Sequence, residues 1–169
     1  MTSPMYTNSV PVFKQLLTAV KTNLQTTAAE VAAKSMNADA FLHARLYPDM
    51  FPLVKQVQIA CDFARGVSAR LAAVDVPAAA GTEASFADLD ALLTMTLGFI
   101  EGLDASKFDG SEGREIVLRP GTPKERKLGG QAYLSSYGLP QFFFHVTTAY
   151  ALLRHNGVTI GKKDFMGAY

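Results

Sequence analysis

The stretch LPQFFFHVTTAYALLRHNG, residues 139–157, places apolar side chains on nearly every side of a helix and still carries Gln141 and His145 one turn apart. A helix without a hydrophilic face must be enclosed by other elements, and its few polar groups then need hydrogen-bond partners or a ligand. The rest of the chain must therefore supply further helices to wrap this one, and His145 becomes the first candidate for chemistry. Gly157 suits the left-handed residue that ends such a helix. Its first half begins near Gln131 and is bent or broken between Gly138 and Pro140.

Three more stretches have helical period. From Ser9 to about Ala33, Phe13, Leu16, Leu17, Val20, Leu24, Ala28 and Val31 recur at three and four residues, with Pro11 near the start, where a missing amide hydrogen does little harm. A short helical turn follows Asn37 and stops before Pro48. From Asp49 to about Ala73, Leu53, Val57, Ala60, Ala64, Val67 and Leu71 form an unbroken stripe that wants a coiled-coil-like neighbour. Ser85 and Asp88 make an S-x-x-D cap for a third helix, whose inner face is Leu89, Leu92, Leu93, Thr96, Ile100 and Leu103. REIVLRPGTPKERKL, residues 114–128, instead alternates around a Pro-Gly turn and reads as a short hairpin or ordered loop inserted between helices three and four. The tail VTIGKKDFMGAY, residues 158–169, has too little periodicity to assign. The expected fold is all-α: an up-and-down four-helix bundle in one domain spanning 1–169.

Composition narrows the function. The 169 residues are 49% hydrophobic, enough for one respectable core. Sixteen basic and fifteen acidic side chains leave a net charge of +1 without a run of either sign, so an electrostatic grip on nucleic acid or anionic lipid is not expected. No membrane span and no export signal is legible, and the chain reads as cytoplasmic. Cys61 is the single cysteine; it excludes an internal disulfide and reads as a small apolar filler.

On the inward stripes, Gln56 lies roughly 60° from the centre of the second helix's apolar face, while Asp62 falls on the opposite side. Gln141 and His145 stack at i and i+4, and Thr148 continues their line. His155 lies about 15 Å beyond His145, too far to share a metal ion with it, and His43 sits outside the main helices. Other chemistries lack their residues. Ser135 and Ser136 have no G-x-S-x-G setting, and neither phosphate-cradling glycine motif is present. The acidic residues are spread over a helix surface and loops, and KERK at residues 124–127 reads as an exposed turn. Phe142, Phe143 and Phe144 point in three directions, one of which is free to form a subunit interface.

The blocks MYTNSVPVFKQLL, ARLYPDMFPLVKQVQIACDFARG and FFFHVTTAYALLRHNGVTIGKKDFMG, in that order, resemble a bacterial domain-of-unknown-function family within the DinB/YfiT-like metalloenzyme superfamily. The resemblance covers essentially the whole chain. It implies a four-helix bundle, a homodimer, and a metal site taking one histidine from helix two and an H-x-x-x-H pair from helix four. Counted back from Gly157, that pair falls on Gln141 and His145, and the helix-two position falls on Gln56. Two of the three imidazoles are thus amides here, and an amide oxygen is a weak, hard ligand for zinc or nickel. Three readings follow. The first is a metal-dependent hydrolase or thiol-dependent transferase built around His145, with Asp49 or His43 as substitute ligands. The second is a small-molecule binder using the inter-helical cavity without catalysis. The third is a structural dimer in which Gln56, Gln141 and His145 satisfy one another inside a filled core.

Overall fold

In the computed structural model, which describes residues 2–169, an unexpected short α1 (Pro4–Thr7) precedes the periodic stretches, which become α2 (Val10–Ala33), α3 (Ala38–Leu42), α4 (Leu53–Leu71) and α5 (Phe86–Glu101). Two 3-10 turns, Ala105–Phe108 and Ser111–Gly113, lead into a hairpin of β1 (Glu115–Leu118) and β2 (Arg126–Gly129). The chain continues through α6 (Gly130–Ala132) and a π-helical segment, Tyr133–Gly138, into α7 (Leu139–His155), and ends with α8 (Lys162–Met166). The molecule is thus mostly helical with one two-stranded antiparallel sheet.

Local chemistry explains the boundaries. Ser85 Oγ accepts from the Asp88 amide at 3.1 Å and Asp88 Oδ2 accepts from the Ala84 amide at 3.1 Å, so the S-x-x-D cap forms at α5. α4 begins at Leu53, the first member of its apolar stripe and four residues after the expected Asp49 start, because Pro52 holds Phe51 away from helical geometry. Between Gly138 and Pro140 the backbone does not break. A π turn widens the helix over Tyr133–Gly138 directly ahead of Pro140, whose ring and missing amide hydrogen would otherwise break a regular α-helix there.

The four long helices α2, α4, α5 and α7 share one core that includes Phe13, Leu17, Val57, Ala64, Leu93 and Phe142. Their directions follow from side-chain pairings. Lys14 meets Glu101 and Lys21 meets Asp90, so α2 and α5 are antiparallel. His145 meets Gln56 while Tyr133 meets Gly66, so α4 and α7 are antiparallel too. Phe13 packs edge-on to Phe142, and Thr27 and Val31 share a groove with Asn156 and Val158, so α2 and α7 run together. Gln58 bonds to Glu83 and Arg65 to Thr96, so α4 and α5 also run together. The order is therefore up, down, down, up, and not the simple alternation expected. Residues 72–85 are long enough to return the chain along the full length of α4, and a segment that long removes the constraint that short loops impose.

α7 is less enclosed than its composition implies: Phe143 and Phe144 are 40% and 54% exposed. The tail, unassigned from sequence, lies along α2, where Asn23 Nδ2 donates to the Asp164 carbonyl and Gln15 Nε2 to the Met166 carbonyl. The expected hairpin turns through Pro120 and Gly121, whose φ of 72° is the left-handed value that a Pro-Gly turn requires. Ile116 and Leu118 face inward. Gly130 lets the hairpin close on the preceding 3-10 turn, since a Cβ there would lie 1.8 Å from the Ser111 carbonyl oxygen. Among the described residues no helix is long and apolar enough to cross a membrane.

Candidate functional site

His145 projects from α7 into the seam with α4 and is 6% exposed. Its Nδ1 lies 2.7 Å from Gln56 Oε1, and Gln56 Nε2 donates to the Phe51 carbonyl at 3.0 Å. This chain of contacts fixes the tautomer. A flipped amide would set the Gln56 oxygen against the Phe51 oxygen, so Oε1 must face the ring and Nδ1 must carry the hydrogen. Nε2 is then left with a free lone pair. It has no hydrogen-bond partner among the described residues, yet the fully buried side-chain nitrogens and oxygens that lack one are Arg65 Nε and Ser68 Oγ, so Nε2 keeps an open edge. Phe63 stacks on the imidazole, with centroids 6.1 Å apart and an interplanar angle of 17°, and Phe144 meets it edge-on. This apolar setting holds the imidazole's pKa below its ordinary value, because burial penalises the charged form. The ring is a neutral acceptor held at a fixed bearing.

Gln141 does not join it. The residue is exposed and lines a cleft of about 530 Å³ between the hairpin and the start of α7, with Leu118, Arg119, Lys124, Arg126 and Tyr137 also on its walls. Four residues turn a helix by 400°, so Gln141 stands about 40° off the His145 bearing. At the mouth of α7, that offset is enough to carry it from the seam into the cleft. Thr148 is buried but donates to the Phe144 carbonyl of its own helix at 2.7 Å. His43, Asp49 and His155 are exposed, and none is hydrogen-bonded to His145.

The residues at the three inherited positions do not fit a resident zinc or nickel ion. Gln56 Oε1 is already engaged by Nδ1–H, Gln141 faces the cleft, and one imidazole remains. Among the described residues no three His, Cys, Asp or Glu side chains converge where an ion could be held.

Two polar features escaped the sequence reading. Arg65 is buried in the core, donating to Thr96 Oγ1 at 2.8 Å and to Asp62 Oδ1, whose carboxylate stays largely in solvent as its helix position predicts. No angular signal marked it, since Arg65 lies roughly 120° from the centre of the α4 stripe and its burial comes from α5 packing over that flank. The cleft beneath the hairpin was not legible, because it depends on how the hairpin lies over α7. Cys61 is fully buried, and burial pushes its thiol up to about 12, in keeping with an apolar filler.

The crystal structure of a DinB family member protein from Shewanella denitrificans superposes with a TM-score of 0.90 at 33% identity, covering 97% of this chain and 92% of that one. Fold and sequence together make this a DinB-like helical protein. Residues 5–166 match the model of the domain of unknown function DUF1993, and the chain belongs to that family. No curated protein matches it.

Proposed function

We propose that this chain is a small-molecule-binding member of the DinB-like superfamily, and that neutral His145 is the polar anchor for its ligand. The observation that carries this reading is the tautomer: Gln56 takes Nδ1–H, so Nε2 offers a lone pair between the rings of Phe63 and Phe144. A group so placed accepts a hydrogen bond from a hydroxyl, amine or thiol, and binding sites of this kind combine apolar walls with a few oriented polar atoms. The ring is held still by Gln56 and Phe51, which reduces the ordering that a ligand must impose.

On this reading the four long helices act as a single-domain four-helix bundle, and their seam is the binding site. The assembly is a homodimer in the cytoplasm, with the exposed Phe143 and Phe144 of α7 at its interface.

The test uses imidazole nitrogen shifts of the ¹⁵N-labelled protein, read while phenol, benzyl alcohol and benzyl mercaptan are added in turn. The expected result is a Nδ1–H tautomer at neutral pH and a saturable Nε2 shift with at least one probe, lost in His145→Phe. A ring protonated on Nε2, or a nitrogen that none of the three moves, would end the proposal. Near-stoichiometric zinc or nickel in purified protein, removed by His145→Ala, would replace it with a metal-centred activity.

A further inference from the structure

The hairpin carries a charge where its pleat calls for an apolar side chain. In the register, Leu118 pairs with Arg126 and Ile116 with Leu128, and directly paired residues of an antiparallel ladder point to the same side. Ile116 and Leu118 are buried, so Arg126 lies on the inward face. It does not enter the core; it lines the cleft of about 530 Å³ with Arg119, Lys124, Tyr137 and Gln141. Lys127, on the other face, pairs with Glu115. Arg119, Lys124 and Arg126 form no ion pair among the described residues, and Glu125, the one acid on the wall, accepts from the Gly121 amide at 2.8 Å. A chain with a net charge of +1 thus gathers three unpaired cations around one concavity.

The cleft continues into a smaller hollow of about 190 Å³, which shares Leu118, Arg119 and Tyr137 and adds Phe63, Tyr133, Arg70 and Asp62, the last already paired with Arg65. The rings of Tyr133 and Tyr137 are stacked with centroids 5.8 Å apart, and Phe63 meets Tyr137 edge-on. A flat apolar body fits against such a wall, while forked guanidinium donors suit a carboxylate or a phosphate.

We infer that the cleft under the hairpin is a binding site for an organic anion, an aromatic or similarly flat molecule bearing a carboxylate or phosphate. Its anionic end meets Arg126, Arg119 and Lys124, and its body lies on Tyr137. The site goes beyond the His145 reading and does not require it; Phe63 stands beside both.

Phenyl phosphate, benzoate, inorganic phosphate and benzyl alcohol serve as probes in NMR titrations of the full chain at low salt. Phenyl phosphate or benzoate should shift Tyr137 and Gln141 saturably, inorganic phosphate should bind more weakly, and benzyl alcohol should not shift them. Arg126→Gln should weaken binding about tenfold, whereas Lys127→Gln, which removes the same charge from the other face, should leave it unchanged. Circular dichroism of both variants checks that the fold is kept. Equal weakening by the two variants would reduce the effect to general surface charge and overturn the inference. So would unchanged binding in Arg126→Gln, or inorganic phosphate binding as tightly as the aromatic anions. The outcome is separable from that for His145, because His145→Phe should leave phenyl phosphate binding intact.

Discussion

Burial disfavours the protonated form of His145, so the unfolded chain binds a proton there more readily than the folded one. Stability from this group is therefore full above the unfolded imidazole value of about 6.5 and declines as pH falls from there through the lowered folded value. Urea unfolding between pH 7.5 and 5 should show a falling midpoint, and His145→Gln should flatten that fall; an equal slope in the variant would contradict the assignment. Cys61 gives a second residue-level prediction: with its thiol pushed up to about 12 inside the core, Ellman's reagent should label it only after denaturation. At this scale the sequence was informative where angle alone decides. The 60° offset of Gln56 points it inward, and it does reach His145. The i,i+4 stacking of Gln141 on His145 does not bring it to the imidazole, because its surroundings are set by a hairpin that begins 26 residues earlier in the chain.

Single glycines hold two elements together. A Cβ on Gly138 would lie 2.6 Å from Val67 Cγ2, where the π segment packs against α4. Gly138→Ala should cost about 1–3 kcal/mol in denaturant unfolding as the buried valine is displaced. At Gly130 the obstacle is the Ser111 carbonyl, which cannot rotate away. Gly130→Ala should therefore disturb the hairpin more than Gly138→Ala disturbs the helix, seen as lost amide-exchange protection in β1 and β2. Ser85→Ala removes the α5 cap and should destabilise by about 1 kcal/mol. Elements with a strong period, such as α4, or with a period and a cap, such as α5, are legible to within a few residues. The 3-10 turns at Ala105–Phe108 and Ser111–Gly113 are not, since their order comes from contacts such as Ser3 Oγ donating to the Phe108 carbonyl across 105 positions.

For the whole molecule, the exposed Phe143 and Phe144 argue for a partner surface on α7. Light scattering should give a dimer, and Phe143→Ser with Phe144→Ser should give a folded monomer; a monomeric parent chain would dismiss the assembly. That helices would dominate was legible from periodicity. Their directions were not, because amphipathic faces record which side is buried and say nothing about which end is up. The widened turn at Tyr133–Gly138 has one last consequence. Because it takes up about one extra residue in its circuit, winding the same letters as a regular α-spiral would turn everything downstream by about 100°. Phe144 would then fill the slot facing Gln56 and the imidazole would swing away from it. Trimming only Ser136 should let that circuit tighten with the ring still correctly aimed, whereas trimming Ser135 as well should rotate it out of reach.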